Sequence, residues 1–180
     1  MSEARRRPIV GVMGSGAERH ERLAVPLGRW VGERGWHLLT GGGGGVMATA
    51  SEAFVGVADR AGLAIGILKG EPQPDGTVRR VAPNTWVELP IRTHLPLSGA
   101  AGTDLRSRNH VNVLTADVVV ALPGGAGTRS EVMLAVRYGT PVIAFLDEPV
   151  LPVGWPSIPV AATLAAVTAW LERAVPDDRG

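Results

Sequence analysis

The sequence of 180 residues contains no cysteine, a single lysine and no long apolar run. Without cysteine, disulfide bonds, thiolate metal sites and a cysteine nucleophile are excluded. Schiff-base chemistry would depend on Lys69 alone, in a polar stretch, so we do not expect it. The apolar stretches are too short for a membrane span, and the charged N-terminus is unlike a signal peptide. We therefore expect a cytoplasmic protein without a membrane partner.

The chain also lacks an excess of charge of one sign, because it has 18 Lys and Arg residues and 17 Asp and Glu residues. The net charge of +1 predicts no basic face for nucleic acid. A content of 45% hydrophobic and 19% charged residues is typical of one globular domain with a sizeable core. Within this single domain, residues 1–180, we expect flexible tails at 1–7 and 175–180.

Apolar runs alternate with helical patterns along the chain. The predicted strands are Ile9–Met13, His37–Leu39, Leu63–Leu68, Trp86–Leu89, Val118–Leu122 and Pro141–Leu146. The predicted helices cover about residues 18–34, Val46–Arg60, Thr103–Thr115, Arg129–Tyr138 and about 160–174. The polar stretch from Lys69 to about Asn84 is predicted to be a functional or mobile loop. The alternation predicts an α/β, Rossmann-like, doubly wound and mainly parallel sheet with helices on both faces.

Glycine-rich loops follow three of these strands, at Gly14–Gly16, Gly41–Gly45 and Pro123–Gly127. The carboxyl ends of parallel strands share one edge of the sheet, so we expect the loops to lie together. Glycine lets backbone amides approach a phosphate, and the following helix adds the positive end of its dipole. The alternative for each loop is a tight turn without a ligand. The candidate phosphate- or nucleotide-binding residues are Gly14, Ser15, Gly42, Gly43, Gly44, Gly124, Gly125, Gly127 and Thr128.

The segment Pro123–Glu131 reads P-G-G-x-G-T-x-x-E, which resembles the signature of the Lonely Guy superfamily, often mislabelled as lysine decarboxylases. Gly42–Met47 is similar to that family's other glycine loop, and Arg108 stands where the family's catalytic arginine does. The resemblance implies a Rossmann-like fold and hydrolysis of nucleoside 5′-monophosphates to free base and ribose 5-phosphate. It also implies Arg108 and Glu131 as catalytic residues, no required cofactor, and a homodimer. Apolar residues around most of Glu131–Tyr138 favour that dimer too.

Two residue pairs resemble a sister branch more closely. The superfamily's hydrolases usually have R-K and E-E where this chain has Arg108-Asn109 and Ser130-Glu131. With Trp86–Thr93, these pairs are similar to the branch that includes molybdenum-cofactor carrier proteins. Two functions therefore stay open: a phosphoribohydrolase, or a carrier-like protein that binds a molybdopterin-type or nucleotide ligand without turnover. Both need the same site for a small phosphorylated ligand; a sensor or scaffold with a vestigial pocket is a weaker third interpretation.

The charged candidates also have purely structural interpretations. Thr128 and Glu131 fit a capping box, with Thr128 as N-cap and Glu131 reaching back to its amide. Arg108 follows Asp104 by four residues in a predicted helix, which favours an ion pair between them. The four histidines show no metal-ligand spacing, so no metal site is expected.

Overall fold

The structure is a computed structural model that describes residues 6–175, so the expectations for residues 1–5 and 176–180 lie outside it. Of the predicted N-terminal tail, residues 1–7, the structure describes residues 6 and 7. An ion pair joins Arg6 Nη2 to Asp117 Oδ1 at 2.5 Å. The backbone amide of Ile9 donates to the other oxygen of that carboxylate at 2.8 Å. The chain is therefore fastened to the sheet from residue 6.

Strands and helices alternate along much of the chain. The strands are β1 (Ile9–Met13), β2 (His37–Thr40), β3 (Ala64–Leu68), β4 (Gly70–Pro72), β5 (Val78–Arg80), β6 (Leu89–Arg92), β7 (Val118–Ala121), β8 (Val142–Phe145) and β9 (Val160–Ala161). The helices are α1 (Glu21–Glu33), α2 (Val46–Val55), α3 (Asn109–Thr115), α4 (Ala126–Tyr138) and α5 (Leu164–Ala174). A short 3₁₀ helix covers Gly99–Ala101. The alternation is interrupted by four strands in succession from β3 to β6 and by two at β8 and β9.

Seven parallel strands form one sheet in the order β6-β3-β2-β1-β7-β8-β9. Strands β3, β7 and β8 are buried along their whole length, because helices cover both faces. The order of strands reverses between β1 and β7, where ligands bind in sheets of this kind. The predicted Rossmann-like class is confirmed. None of the helices described within residues 6–175 is long and apolar enough to cross a bilayer.

Several boundaries on the β6 side of the sheet differ from the prediction. The stretch predicted as a loop after Lys69 contains the antiparallel hairpin β4–β5, whose strands are too short to give a clear pattern. The following strand is Leu89–Arg92 rather than Trp86–Leu89. It includes Pro90, which a strand at the edge of a sheet tolerates because one side of it needs no hydrogen bond.

Helix α1 begins at Glu21 rather than at about residue 18, and four other helix boundaries were also wrong. Helix α2 ends at Val55 rather than Arg60, with Gly56 as its C-cap. Helix α3 begins at Asn109 rather than Thr103. Helix α4 begins at Ala126, three residues before the predicted start. The last helix begins at Leu164, since Thr163 caps it, and β9 precedes it.

Candidate functional site

The loops after β1 and β7 are joined directly at the point where the strand order reverses. The amide of Ser15 donates to the carbonyl of Pro123 at 3.0 Å, and the carbonyl of Ser15 accepts from the amide of Val46 at 2.9 Å. The hydroxyl of Ser15 accepts from the amides of Ala17 and Glu18 at 3.2 and 3.0 Å. All three glycine loops thus meet at one edge, and the Ser15 side chain stabilises its own turn.

The N-terminus of α4 is uncapped and open. Gly125 is the N-cap residue, and no side chain caps the helix. The first amides of a helix have no partner within it, so those of α4 point toward this edge of the sheet with the positive end of the dipole. A Cβ placed on Gly125 would meet no described atom within 4 Å. Space is therefore open beside Gly125, while the backbone of Gly99 lies close to Gly127 in the first turn.

The predicted capping box is wrong. Thr128 lies within the first turn of α4 rather than at its N-cap, and only 2% of it is exposed. Its hydroxyl packs against Gly124, where a Cβ would overlap it. Glu131 does not reach back to Thr128; its Oε1 accepts from Asn112 Nδ2 of α3 at 2.9 Å. Because α4 begins at Ala126 with Gly125 as its N-cap, Glu131 stands in the second turn, too far along the helix to complete a capping box.

Arg108 is held by the glycine loop after β2. Its guanidinium lies against Gly41, and a Cβ on Gly41 would overlap it. The buried Nη1 of Arg108 has no hydrogen-bond partner among residues 6–175. The predicted ion pair with Asp104 is wrong, because residues 103–108 are not helical and Asp104 instead pairs with Arg106 at 3.2 Å. Arg108 is therefore left with a donor that a ligand could use.

Glu131 and Arg108 lie within each other's electrostatic influence. Burial raises the pKa of the Glu131 carboxyl, and the charge of Arg108 and the bond from Asn112 oppose that rise. Burial likewise lowers the pKa of Arg108, and Glu131 opposes it. Within the described residues the two form no direct ion pair, although only 7% of Glu131 is exposed. The site therefore holds one acidic and one basic group, each poorly solvated and neither in a direct ion pair with the other.

Asn109 and Ser130, which stand where the hydrolases have other residues, contact each other. Asn109 Nδ2 donates to Ser130 Oγ at 2.9 Å, and Ser130 Oγ donates to the carbonyl of Gly127 at 2.7 Å. Both side chains are buried. In the sequence, Asn109 and Ser130 are two separate differences from the hydrolases. Only the structure shows that their side chains are hydrogen-bonded to each other between α3 and α4.

Asn84 holds the glycine loop after β2, a role that the sequence does not predict. The amide of Asn84 donates to the carbonyl of Gly42, and its Nδ2 donates to the carbonyl of Gly43, both at 2.8 Å. The amide of Gly42 is already bonded to Thr40 Oγ1 at 3.1 Å. Gly43 and Gly44 are the better-placed phosphate candidates here. An asparagine at the end of a polar loop gives no signal for such a partner.

Three histidines have structural partners. His110 hydrogen-bonds to Tyr138 Oη at 2.6 Å and to the carbonyl of Asp104 at 2.9 Å. His37 Nδ1 accepts from the amide of Leu63 at 3.0 Å, and His20 lies 3.1 Å from Glu18. Across residues 6–175, the His, Asp and Glu side chains form no cluster of three or more that could hold a metal ion.

The sheet is parallel and doubly wound, and the uncapped helix α4 follows a glycine loop at the point where the strand order reverses. These features define a Rossmann-like protein whose sheet edge can attract an anion. The sequence matches the profile of the SLOG cluster4 family over residues 7–162. The chain belongs to that family, which agrees with the glycine motif at Pro123–Glu131.

Solved structures similar to this chain include two from molybdenum-cofactor proteins. The molybdenum cofactor binding protein of the phototrophic bacterium Rippkaea orientalis is 32% identical, with a TM-score of 0.68 over 96% of this chain and 100% of that one. The molybdenum cofactor carrier protein of Chlamydomonas reinhardtii is 33% identical, with a TM-score of 0.66 over 94% of this chain and 98% of that one. An uncharacterized protein of Archaeoglobus fulgidus is 30% identical over 144 residues, or 79% of this chain and 82% of that one.

Proposed function

We propose that this protein binds a small phosphorylated ligand of the nucleotide or molybdopterin type, with the phosphate at the N-terminus of α4. The observation that carries the proposal is the uncapped start of α4 with open space in front of Gly125. Free amides at a helix N-terminus complete their hydrogen bonds by binding an anion. The similarity to the two molybdenum-cofactor proteins supports a ligand of this class.

The residues at this edge fit the phosphate end of a molybdopterin-type ligand. The amides of Gly127 and Thr128 would bind phosphate oxygens, and the unpartnered Nη1 of Arg108 would donate to a further acceptor of the ligand. When bound, such a cofactor supplies redox chemistry at its metal. The chain itself would hold and shield it, and the absence of cysteine means that no thiolate of this chain would ligate the molybdenum.

Hydrolysis of a nucleoside monophosphate is the second candidate, because Arg108 and Glu131 lie near each other at this edge. The reaction would break the bond between the base and C1′; water would supply the oxygen at C1′ and a proton for the base. An ionised Glu131 would stabilise the positive charge that develops on the ribose. Burial opposes that role, because it favours the neutral carboxyl, and Asn112 already occupies Oε1. We therefore place carrier-like binding first.

Incubation with a panel of nucleoside 5′-monophosphates separates the two candidates. Calorimetry would measure binding, and chromatography would detect free base over several hours. Saturable binding without base supports the carrier-like function. Release of free base would support the hydrolase instead, provided that Glu131→Gln abolishes the release and the exposed control Glu172→Gln preserves it. If neither the panel nor a molybdopterin-type ligand binds, and no base is released, both candidate functions are refuted.

A further inference from the structure

A second group of cations lies around a groove on the β6 side of the sheet. The groove lies between the β4–β5 hairpin and the residues that follow β3 and β6. Its cationic lining residues are Lys69, Arg79, Arg80 and Arg92, with His94 beside them. None of the residues that line it is acidic. In a chain with a net charge of only +1, this is a marked local excess of positive charge.

Backbone contacts fix the wall of this groove. The amide of Gly70 donates to the carbonyl of Leu95 at 3.0 Å, and the amide of Thr93 donates to the carbonyl of Leu68 at 3.1 Å. A Cβ on Gly70 would overlap the Thr93 carbonyl oxygen, so the hairpin approaches the end of β6 closely because residue 70 is glycine. These contacts therefore fix the backbone from which the arginine side chains of the hairpin extend.

The structure neutralises little of this charge. Arg79 pairs with Glu71, the carboxylate next to the groove. Arg92 Nη1 donates to the carbonyl of Val81 at 3.0 Å, which leaves its charge unbalanced. The side chains of Lys69 and Arg80 form no ion pair or hydrogen bond with any residue in the range 6–175. Gathering like charges in a fixed position costs free energy unless a ligand of opposite charge binds there.

We propose that this groove binds the diphosphate group of a small molecule, at a site separate from the N-terminus of α4. Cations on both walls suit an anion with oxygens at both ends, and guanidinium groups bind phosphate oxygens in pairs. The groove is lined by no Phe, Tyr or Trp, and His94 is the one ring there, so the groove offers a base little surface for stacking. At about 4.8 Å between strands, the ends of β3 and β6 lie roughly 10 to 19 Å from those of β1 and β7.

Calorimetry with inorganic pyrophosphate tests this site at moderate salt. Arg80→Glu should weaken binding by at least about tenfold, because it removes one charged contact and adds a repulsive charge. Arg29→Glu makes the same change on the exposed side of α1 and should leave binding unchanged. Gly125→Val should also leave it unchanged, because that variant alters the other site. Replacing pyrophosphate by ADP shows whether the nucleoside adds affinity, and equal or tighter binding supports the same diphosphate site.

Lys69 gives an independent readout, because it is the chain's one lysine. Its acetylation, followed by mass spectrometry, should slow when pyrophosphate is added to the wild type and to Arg29→Glu, and should not slow in Arg80→Glu. Absence of pyrophosphate binding would overturn the proposal. Pyrophosphate binding that is lost in Gly125→Val and kept in Arg80→Glu would also overturn it. Equal weakening in Arg80→Glu and Arg29→Glu would overturn it as well.

Discussion

Arg108 takes its position from the absence of a side chain at Gly41. An alanine at that position would displace the end of a flexible side chain rather than the backbone. We therefore expect Gly41→Ala to lower the free energy of unfolding by less than about 1 kcal/mol. Binding of AMP should weaken about as much as in Arg108→Ala, since both variants remove the same donor. Calorimetry and urea unfolding would measure the two effects.

The control for this prediction is Gly56→Ala at the C-terminus of α2, where a Cβ meets its nearest neighbour at 3.4 Å and no candidate ligand group lies nearby. It should preserve AMP binding. Wild-type affinity in Gly41→Ala would contradict the assignment of Arg108 to the ligand.

Glu131 predicts a pH dependence of stability. Burial raises the pKa of its carboxyl above the ordinary value of 4.5. A group of this kind stabilises the fold fully below its unfolded pKa, and the contribution is lost as the pH rises through the folded pKa. Glutamine cannot ionise and retains an oxygen for Asn112. The free energy of unfolding of Glu131→Gln should therefore exceed that of the wild type at about pH 7.5, and the difference should shrink as the pH falls toward about 4.5.

Denaturant unfolding at several pH values measures this difference, with Glu172→Gln on the surface of α5 as the control. A wild type that is more stable than Glu131→Gln at neutral pH would mean that the ionised carboxylate stabilises the fold, which contradicts the account of its burial.

Single residues show how far a sequence can be interpreted. The glycine motif at Pro123 predicts both the anion site and the superfamily, because glycines before a helix leave its first amides without a side-chain cap. The partner of Glu131 could not be predicted, since Asn112 is 19 residues away and an asparagine can bond to many groups. Thr128 and Glu131 fit a capping box in sequence, and only the start of α4 at Ala126 shows that they do not form one.

At the scale of elements, Asn109 and Ser130 join α3 to α4 beside the site. Ser130→Ala would leave the buried Asn109 Nδ2 without its partner, at a cost of about 1–3 kcal/mol. Asn109→Ala should cost a similar amount, and the double variant less than the sum, because the interaction can be lost only once. Urea unfolding of the four proteins measures the coupling.

Ser51→Ala is the matched control, because the buried hydroxyl of Ser51 has no hydrogen-bond partner among residues 6–175. It should cost less than Ser130→Ala. Additive effects of the Asn109 and Ser130 variants would show that the pair does not act as a unit.

The predicted elements are most accurate where burial is complete. Strands such as β1 and β7 are continuous apolar runs, and their predicted bounds agree with the structure to within one residue. Prediction fails at the edge, where β6 is half-exposed and includes Pro90. It fails again before α3, because residues 103–108 have a helical pattern but form turns that Asp104 and Ser107 stabilise through side-chain bonds.

At the scale of the whole molecule, α3 and α4 leave an apolar surface uncovered. Leu114, Met133, Val136 and Tyr138 are 61%, 38%, 49% and 39% exposed. We predict a homodimer through this surface, since burying it removes apolar area from water. Val136→Glu should convert the dimer to a monomer in light scattering at micromolar concentration. Val153→Glu, at a fully exposed loop position, should not. A monomeric wild type would contradict the prediction.

The variant Gly125→Val shows whether α4 binds the phosphate of a ligand at its N-terminus. Gly125 has a φ of −90°, and its missing side chain would point into open space. Valine there should leave the melting temperature close to that of the wild type while covering the amides that follow. AMP binding, measured by calorimetry, should fall by at least about tenfold, whereas Ala165→Val on the exposed side of α5 should leave it unchanged. Unchanged AMP affinity in a folded Gly125→Val protein would contradict phosphate binding at α4.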